Sequence, residues 1–147
     1  MRRIGFEVRY LANLITKTLD NTPAFQKNKN ITGMQYFIIG YIFKNREKDV
    51  LQKDIAKMYH MQKSTTSQIL DTMEKNGLIY REDVEYDKRT KKVSLTDLAL
   101  VIKEEAKKEI TQLEADMVQG LNENEIECFY KVIEKIKQNI KDKGKNI

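Results

Sequence analysis

Residues 51–82 read LQKDIAKMYHMQKSTTSQILDTMEKNGLIYRE, and this stretch decides the fold. The apolar residues before residue 60 recur at helical spacing and predict a first short helix with one buried edge. Residues 60–62 are predicted to form a short turn after it. A second helix is predicted over residues 63–76, ending at Gly77, which suits the left-handed position after a helix. Its inward residues are predicted to be Thr66, Ile69, Leu70 and Met73. The pattern predicts a helix-turn-helix.

The hydrophobic period changes after Gly77. Residues 78–81 are β-branched and aromatic, and residues 92–95 alternate between polar and apolar, which predicts two short strands. Residues 82–91 between them are polar and contain no Gly, so we expect a loop longer than a two-residue turn. The sequence therefore predicts a β-hairpin, a wing, directly behind the helix-turn-helix.

Helices are predicted on both sides of this centre. The first covers residues 3–19, and residues 26–30 are expected to form a loop. Thr32 can cap the next helix, whose apolar block over residues 36–43 predicts a central core helix. Thr96 can cap a long helix.

The terminal helices carry apolar stripes that a chain of 147 residues has little room to bury within itself. Gly120 ends the long helix, and Asn122 with Glu125 has the spacing of a capping box for the last one. Pairing the stripes with a second copy predicts a two-fold homodimer. The predicted dimerisation residues are Ile4, Val8, Leu11, Ile15, Ile126, Phe129, Ile133 and Ile136.

The predicted fold is mainly α with a small β-hairpin wing, a winged helix-turn-helix flanked by N- and C-terminal dimerisation helices. Residues 1–147 are predicted to form a single domain. Within it, residues 31–96 are assigned to the winged helix-turn-helix, and residues 1–20 and 97–143 to the dimerisation helices.

Composition excludes several functions. The chain has one Cys and one His, too few to close a structural zinc site, and it offers no Ser-His-Asp or Cys-His set, so we predict no metal and no enzyme. A lone Cys indicates a reducing cytoplasm. The most apolar stretch, residues 36–43, is too short for a membrane span. The net charge of +5 is compatible with nucleic acid without demonstrating it.

The start of the second helix is narrow and polar, as entry into the major groove of DNA requires. Gln68 can pair bidentately with adenine, and hydroxyls suit base edges or phosphates. The predicted DNA contacts here are Lys63, Ser64, Thr65, Ser67 and Gln68. The alternative is an ordinary capped helix start.

The predicted wing concentrates positive charge, since residues 86–92 contain four cations and one anion. Lys88, Arg89 and Lys91 are predicted phosphate contacts, and Arg89 can reach into a narrow minor groove. Asp87 is unfavourable beside DNA, and we expect it to stabilise the wing by holding Arg89 through a charged hydrogen bond. The alternative is a solvated loop.

Several motifs resemble the MarR family of bacterial transcription regulators. They cover about a third of the chain, and the helix order agrees over its whole length. The matching segments are Asp54-Ile55-Ala56, residues 63–67, residues 73–79, Asp87-Lys88-Arg89 and residues 93–96.

The resemblance implies a homodimeric regulator, expected to be a repressor, on a pseudo-palindromic operator in double-stranded DNA. The helix from Lys63 would lie in the major groove and Arg89 in the minor groove. No cofactor is expected, but small phenolic or anionic effectors are typical of relatives. Gln68 stands where many relatives have Arg, which predicts a different operator, and the first helix has no Cys for oxidant sensing.

Two other functions stay open: a ligand-independent architectural DNA protein and a winged-helix scaffold that binds protein. Cys128 is expected to be a small buried hydrophobic residue, with a redox role as the alternative. His60 is expected to be structural or exposed. The block of residues 36–43 is expected to be core, with a ligand pocket beside it as the alternative.

Overall fold

The computed structural model describes residues 1–28 and 31–144. Within these residues the elements are α1 (Ile4–Asp20), α2 (Pro23–Lys27), α3 (Gly33–Lys44), α4 (Gln52–Met58), α5 (Lys63–Lys75), β1 (Ile79–Val84), β2 (Asp87–Leu95), α6 (Asp97–Met117) and α7 (Glu123–Gly144). The strands form one antiparallel hairpin, so the predicted mainly helical winged fold is confirmed. The chain divides into two compact units, Met1–Ile110 and a second that begins at Thr111.

Helix α3 lies in the core of the first unit. The backbone amide of Gln35 donates to Thr32 Oγ1, and the amide of Thr32 donates to Gln35 Oε1, both at 3.2 Å. This capping box fixes the helix start. Ile38 and Ile39 are completely buried and Ile42 nearly so, which confirms the predicted core helix.

The helix-turn-helix packs through a small apolar centre. Ile55 of α4 and Leu70 and Met73 of α5 have no exposed surface. Between the helices, His60 is exposed and adopts a φ of 50°. At the end of α5, Gly77 has a φ of 73°, and the following amide closes the helix with a 2.9 Å bond to the carbonyl oxygen of Met73.

The loop predicted over residues 26–30 is partly wrong. Pro23 begins the short helix α2, because its fixed φ suits a first helical position. Phe25 is buried and meets the ring of Tyr36 edge-on at 5.5 Å. Residues 29–30 lie outside the described part of the chain.

The long wing loop predicted over residues 82–91 is also wrong. Strand β1 extends to Val84, β2 starts at Asp87, and only two residues connect them. Val84 is buried, and Asp83 forms an ion pair with Lys91 across the strands. These contacts stabilise β-strand pairing over residues 82–91, which are too polar to show the alternation that indicates a strand.

The two last helices begin at the predicted caps. The amide of Ala99 donates to Thr96 Oγ1 at 3.2 Å. Gly120 has a φ of 82° after α6. Asn122 and Glu125 exchange the two hydrogen bonds of a capping box, both at 2.9 Å.

Candidate nucleic-acid interface

The first turns of α5 present polar side chains to solvent. Thr66 is fully buried and donates its hydroxyl to the carbonyl oxygen of Gln62 at 3.0 Å, which fixes the packed side of the helix. The predicted contact residues lie on the remaining faces, half-buried for Ser67 and exposed for Lys63, Ser64, Thr65 and Gln68. The side chain of Gln62 does not cap α5, so its first amides remain open to an anion.

The wing contains a bulge that carries its basic residues. Asp83 and Val84 are consecutive on β1, whereas their partners Lys91 and Asp87 are four positions apart on β2. The extra segment is residues 88–90, which contains the exposed side chains of Lys88 and Arg89. A bulge of this kind re-aims side chains away from the ladder.

Asp87 closes the bulge through its carboxylate. Oδ1 accepts from the backbone amide of Arg89 and Oδ2 from the hydroxyl of Thr90, both at 2.9 Å. The bond therefore reaches the backbone of Arg89, and the guanidinium stays exposed. The Arg89 amide first, and the Thr90 hydroxyl second, lower the pKa of Asp87 because both stabilise the carboxylate.

A basic groove of about 600 Å³ lies between α4, α5 and β2. Its lining brings together Lys63, Arg89 and Lys91 of the predicted set, and adds Lys53 from α4. Ser64, Thr65 and Gln68 do not line the groove. The result is an open, cationic concavity beside the polar end of a helix, which suits a polyanion.

Two residues near the groove were not found from the sequence. Lys53 looked like one more exposed lysine, and only its place in the first turn of α4 could have indicated it. Arg81 lies in β1, and its guanidinium donates to Asp71 and Glu74 at 2.5 Å each. Burial disfavours the charged guanidinium, but these two hydrogen bonds outweigh it and raise the pKa of Arg81. A lone arginine in a strand gives no sequence signal for such a cluster.

A second, smaller groove of about 330 Å³ lies beside the base of the wing. Phe43, Val50 and Val93 contribute apolar surface to it. The guanidinium of Arg46 and the ammonium of Lys103 stand 4.1 and 4.3 Å from the centre of the Phe43 ring. Apolar walls edged by cations suit a small amphipathic anion.

The predicted dimerisation residues are mostly accessible in the single chain. On α1, Ile4, Val8 and Leu11 are 65%, 46% and 44% exposed, and Ile15 is half-buried. On α7, Phe129 is 51% exposed, and Ile126, Ile133 and Ile136 are half-buried.

The expected burial of Cys128 is wrong for the single chain, where its thiol is exposed. The reason is that α7 contains no buried residue at all. A position one step from the apolar stripe of α7 is therefore exposed as well.

Residues 1–28 and 31–144 contain neither a metal-ligating cluster nor a membrane-spanning helix. Side chains able to ligate a metal do not gather there in groups of three or more. The helices in these ranges all fall short of the length and hydropathy needed to cross a bilayer.

Fold and site together define a winged helix-turn-helix protein with a basic face. A model of the MarR family matches residues 29–90. Among solved structures, the chain resembles S. aureus MepR in complex with DNA, with a TM-score of 0.83 and 24% identity over 95% of this chain and 99% of that one. It also resembles the regulator MarR from Oenococcus oeni PSU-1, with a TM-score of 0.73 and 27% identity over 92% and 99%. Heme-free PefR is similar too, with a TM-score of 0.69 and 28% identity over 93% and 99%.

Residues 29–90 therefore match the MarR family of transcription regulators, and the solved regulator MarR shares the fold over 92% of this chain. Members of this family are regulators and not enzymes, in agreement with the function predicted from the sequence.

Proposed function

We propose that this protein is a homodimeric repressor that binds a pseudo-palindromic operator, with α5 in the major groove and the wing in the minor groove. The observation that carries the proposal is the basic groove, where Lys53, Lys63, Arg89 and Lys91 converge. Cations gathered around one concavity supply the sequence-independent affinity for phosphates. A regulator of this kind acts on DNA in the cytoplasm.

The exposed face of α5 would supply the sequence readout. Thr65 and Gln68 are exposed on the same helix as Lys63, which lines the groove. A duplex with a phosphate at the groove would therefore have its bases close to the small hydroxyls and one amide at the start of α5. Side chains of this size can approach base edges without steric obstruction.

The bulge supports minor-groove entry by Arg89. Its guanidinium is exposed while Asp87 holds its backbone amide, so the position is fixed and the charge is free to act outside the ladder. A minor groove narrowed by A·T pairs has the most negative potential on a duplex. Arg89 is therefore expected to favour such pairs beside each half-site.

Dimerisation is supported by the apolar residues that α1 and α7 expose. Phe6, Val8 and Leu11 on α1 and Phe129 on α7 are each more than 40% exposed. Surfaces of this kind are typical of permanent protein interfaces. We assign residues 1–20 and 97–143 to dimerisation and residues 31–96 to DNA binding. The similar MepR, crystallised with DNA, supports the same role for this chain.

A small phenolic or anionic effector is part of the proposal. The second groove offers the Phe43 ring with cations beside it, and it reaches Val93 of the wing, so an occupant there would contact a strand that carries Arg89. One similar protein, PefR, is a heme sensor, which supports ligand-responsive regulation in the family. Salicylate-type acids are therefore expected to weaken DNA binding.

Binding of the full chain to random duplex DNA across a salt series, with light scattering for oligomeric state, tests the proposal. Up to four groove cations per subunit predict a plot of log affinity against log salt with a slope of about −4 to −7 for a dimer. A monomer, or a protein without affinity for DNA, would contradict it, and the latter result would favour a protein-binding scaffold. Binding without sequence preference would favour an architectural protein.

A further inference from the structure

Arg81 lies where three elements of the DNA-binding region meet. It belongs to β1 and pairs with Val93 of β2, and its side chain is 21% exposed. The guanidinium donates to carboxylates of Asp71 and Glu74 on α5 at 2.5 Å and to Gln52 Oε1 on α4 at 3.4 Å. One side chain therefore connects the wing to both helices of the helix-turn-helix.

We propose that Arg81 is a positioning residue, which sets the wing against the recognition helix and neutralises its carboxylates without contacting DNA. The inference rests on the DNA-binding function proposed above. The two arginines of the hairpin therefore have different roles: Arg89 is exposed and can contact DNA, whereas Arg81 is largely buried.

The guanidinium of Arg81 already uses most of its donor capacity within the protein. Its N–H groups form a rigid planar fork, and in Arg81 three of its nitrogens already donate to acceptors on two helices. A phosphate would have to displace a carboxylate from a charge-assisted bond. Arg81 therefore has little capacity left for DNA.

Helix α5 carries two carboxylates, Asp71 and Glu74, after its polar start. Asp71 follows Gln68 by three residues and its side chain is 60% exposed, while that of Glu74 is 42% exposed. Residues three apart are neighbours on a helix surface, so Asp71 lies beside the predicted base-reading residue. Without Arg81, two unpaired carboxylates would repel phosphates near the reading face.

Arg81 also connects elements that line the basic groove. Gln52 lines the basic groove, and the strand paired with β1 carries Arg89 into the same groove. The hydrogen bonds from Arg81 to α4 and α5 therefore fix the distance between Arg89 and the start of α5. Reading of a duplex by a helix and a wing together depends on that distance, because both must reach adjacent grooves.

The test compares Arg81→Gln with Arg89→Gln, two variants that remove the same charge from the same hairpin. Affinity is measured for a selected operator and a random duplex across a salt series. Arg81→Gln is expected to lower operator affinity about tenfold or more, with the salt slope of the native protein retained. Arg89→Gln is expected to make the slope shallower by about one per subunit.

A salt slope that falls equally in both variants would overturn the inference, since Arg81 would then contact phosphate. So would native operator affinity in Arg81→Gln. If the native protein itself prefers no sequence, the proposed function fails, which is a separate result.

A second variant keeps the inference testable if Arg81→Gln does not fold. Asp71→Asn with Glu74→Gln releases Arg81 while removing two negative charges. If the two carboxylates acted only through their charge, their removal would tighten binding to every duplex equally. If Arg81 positions the wing, the ratio of operator affinity to random-duplex affinity should fall about tenfold. An unchanged or higher ratio would overturn the inference.

Discussion

At the scale of single residues, the proposed DNA interface combines exposed side chains, which we propose read the bases, with constrained side chains that support them. Thr66 is buried by packing, so Thr65 and Gln68 are left facing solvent. Asp87 constrains the backbone of Arg89 but leaves its charge exposed. The specificity of the protein should therefore reside in a few accessible side chains.

Gln68→Ala tests base reading. The amide is exposed and can form a bidentate pair with adenine, so its loss should cost about 1–3 kcal/mol at one base pair of the operator. Affinities for a panel of single-base operator variants measure this. Gln119→Ala, an exposed glutamine after α6, is the matched control and should leave the profile unchanged. Equal loss at every position would identify a phosphate contact instead.

Asp87→Asn tests the bulge and its pH dependence. Hydrogen bonds from the Arg89 amide and the Thr90 hydroxyl lower the pKa of Asp87 below its ordinary value of 3.8. A lowered pKa in the folded state means that the carboxylate stabilises the wing above pH 3.8 and that this contribution is lost as the pH falls through the lowered value.

Hydrogen exchange of the Arg89 amide should accordingly be faster in Asp87→Asn than in the native protein at pH 5 to 7. The stabilities of the two proteins should converge in acid once the pH falls below the lowered pKa of Asp87. A difference that persists at lower pH would mean that the carboxylate is not responsible.

At the scale of elements, most of the fold could be predicted because its signals are local. Caps such as Thr32 and Thr96, and the helical spacing of apolar residues, depend on neighbours within a few positions. The wing could not be predicted in full, because its ladder depends on the cross-strand pair of Asp83 with Lys91 and on the burial of Val84. The groove was likewise only partly predicted, since Lys53 of α4 lines it together with Arg89 and Lys91 of β2, which are distant in sequence.

Gly77→Ala tests the junction between α5 and the wing. With a φ of 73°, this position is strained for any residue with a Cβ, although the added atom would meet only Leu98 at 3.9 Å. The change should therefore cost about 1–2 kcal/mol of unfolding free energy. Gly40→Ala inside α3 is the matched control, since its Cβ would meet nothing within 4 Å, and it should stabilise by about 0.5–1 kcal/mol. If chemical denaturation gave the same change in unfolding free energy for both variants, the left-handed conformation assigned to Gly77 would be contradicted.

At the scale of the whole molecule, the proposed function depends on a second copy of the chain. Phe129→Asp places a charge in the predicted interface and should yield a monomer by light scattering. Loss of the two-site arrangement should lower operator affinity about 10²-fold. Lys131→Asp puts the same residue on the far side of α7 and should remain a dimer. A dimeric Phe129→Asp protein would remove α7 from the interface.

Two recognition helices presented together to one face of a duplex are the central claim, and selection from random DNA measures it most directly. The selected sequences should contain two inverted copies of one half-site with centres ~10–10.5 bp apart, the separation of successive major grooves. Enrichment of a single unrepeated motif, or of no motif, would contradict the account.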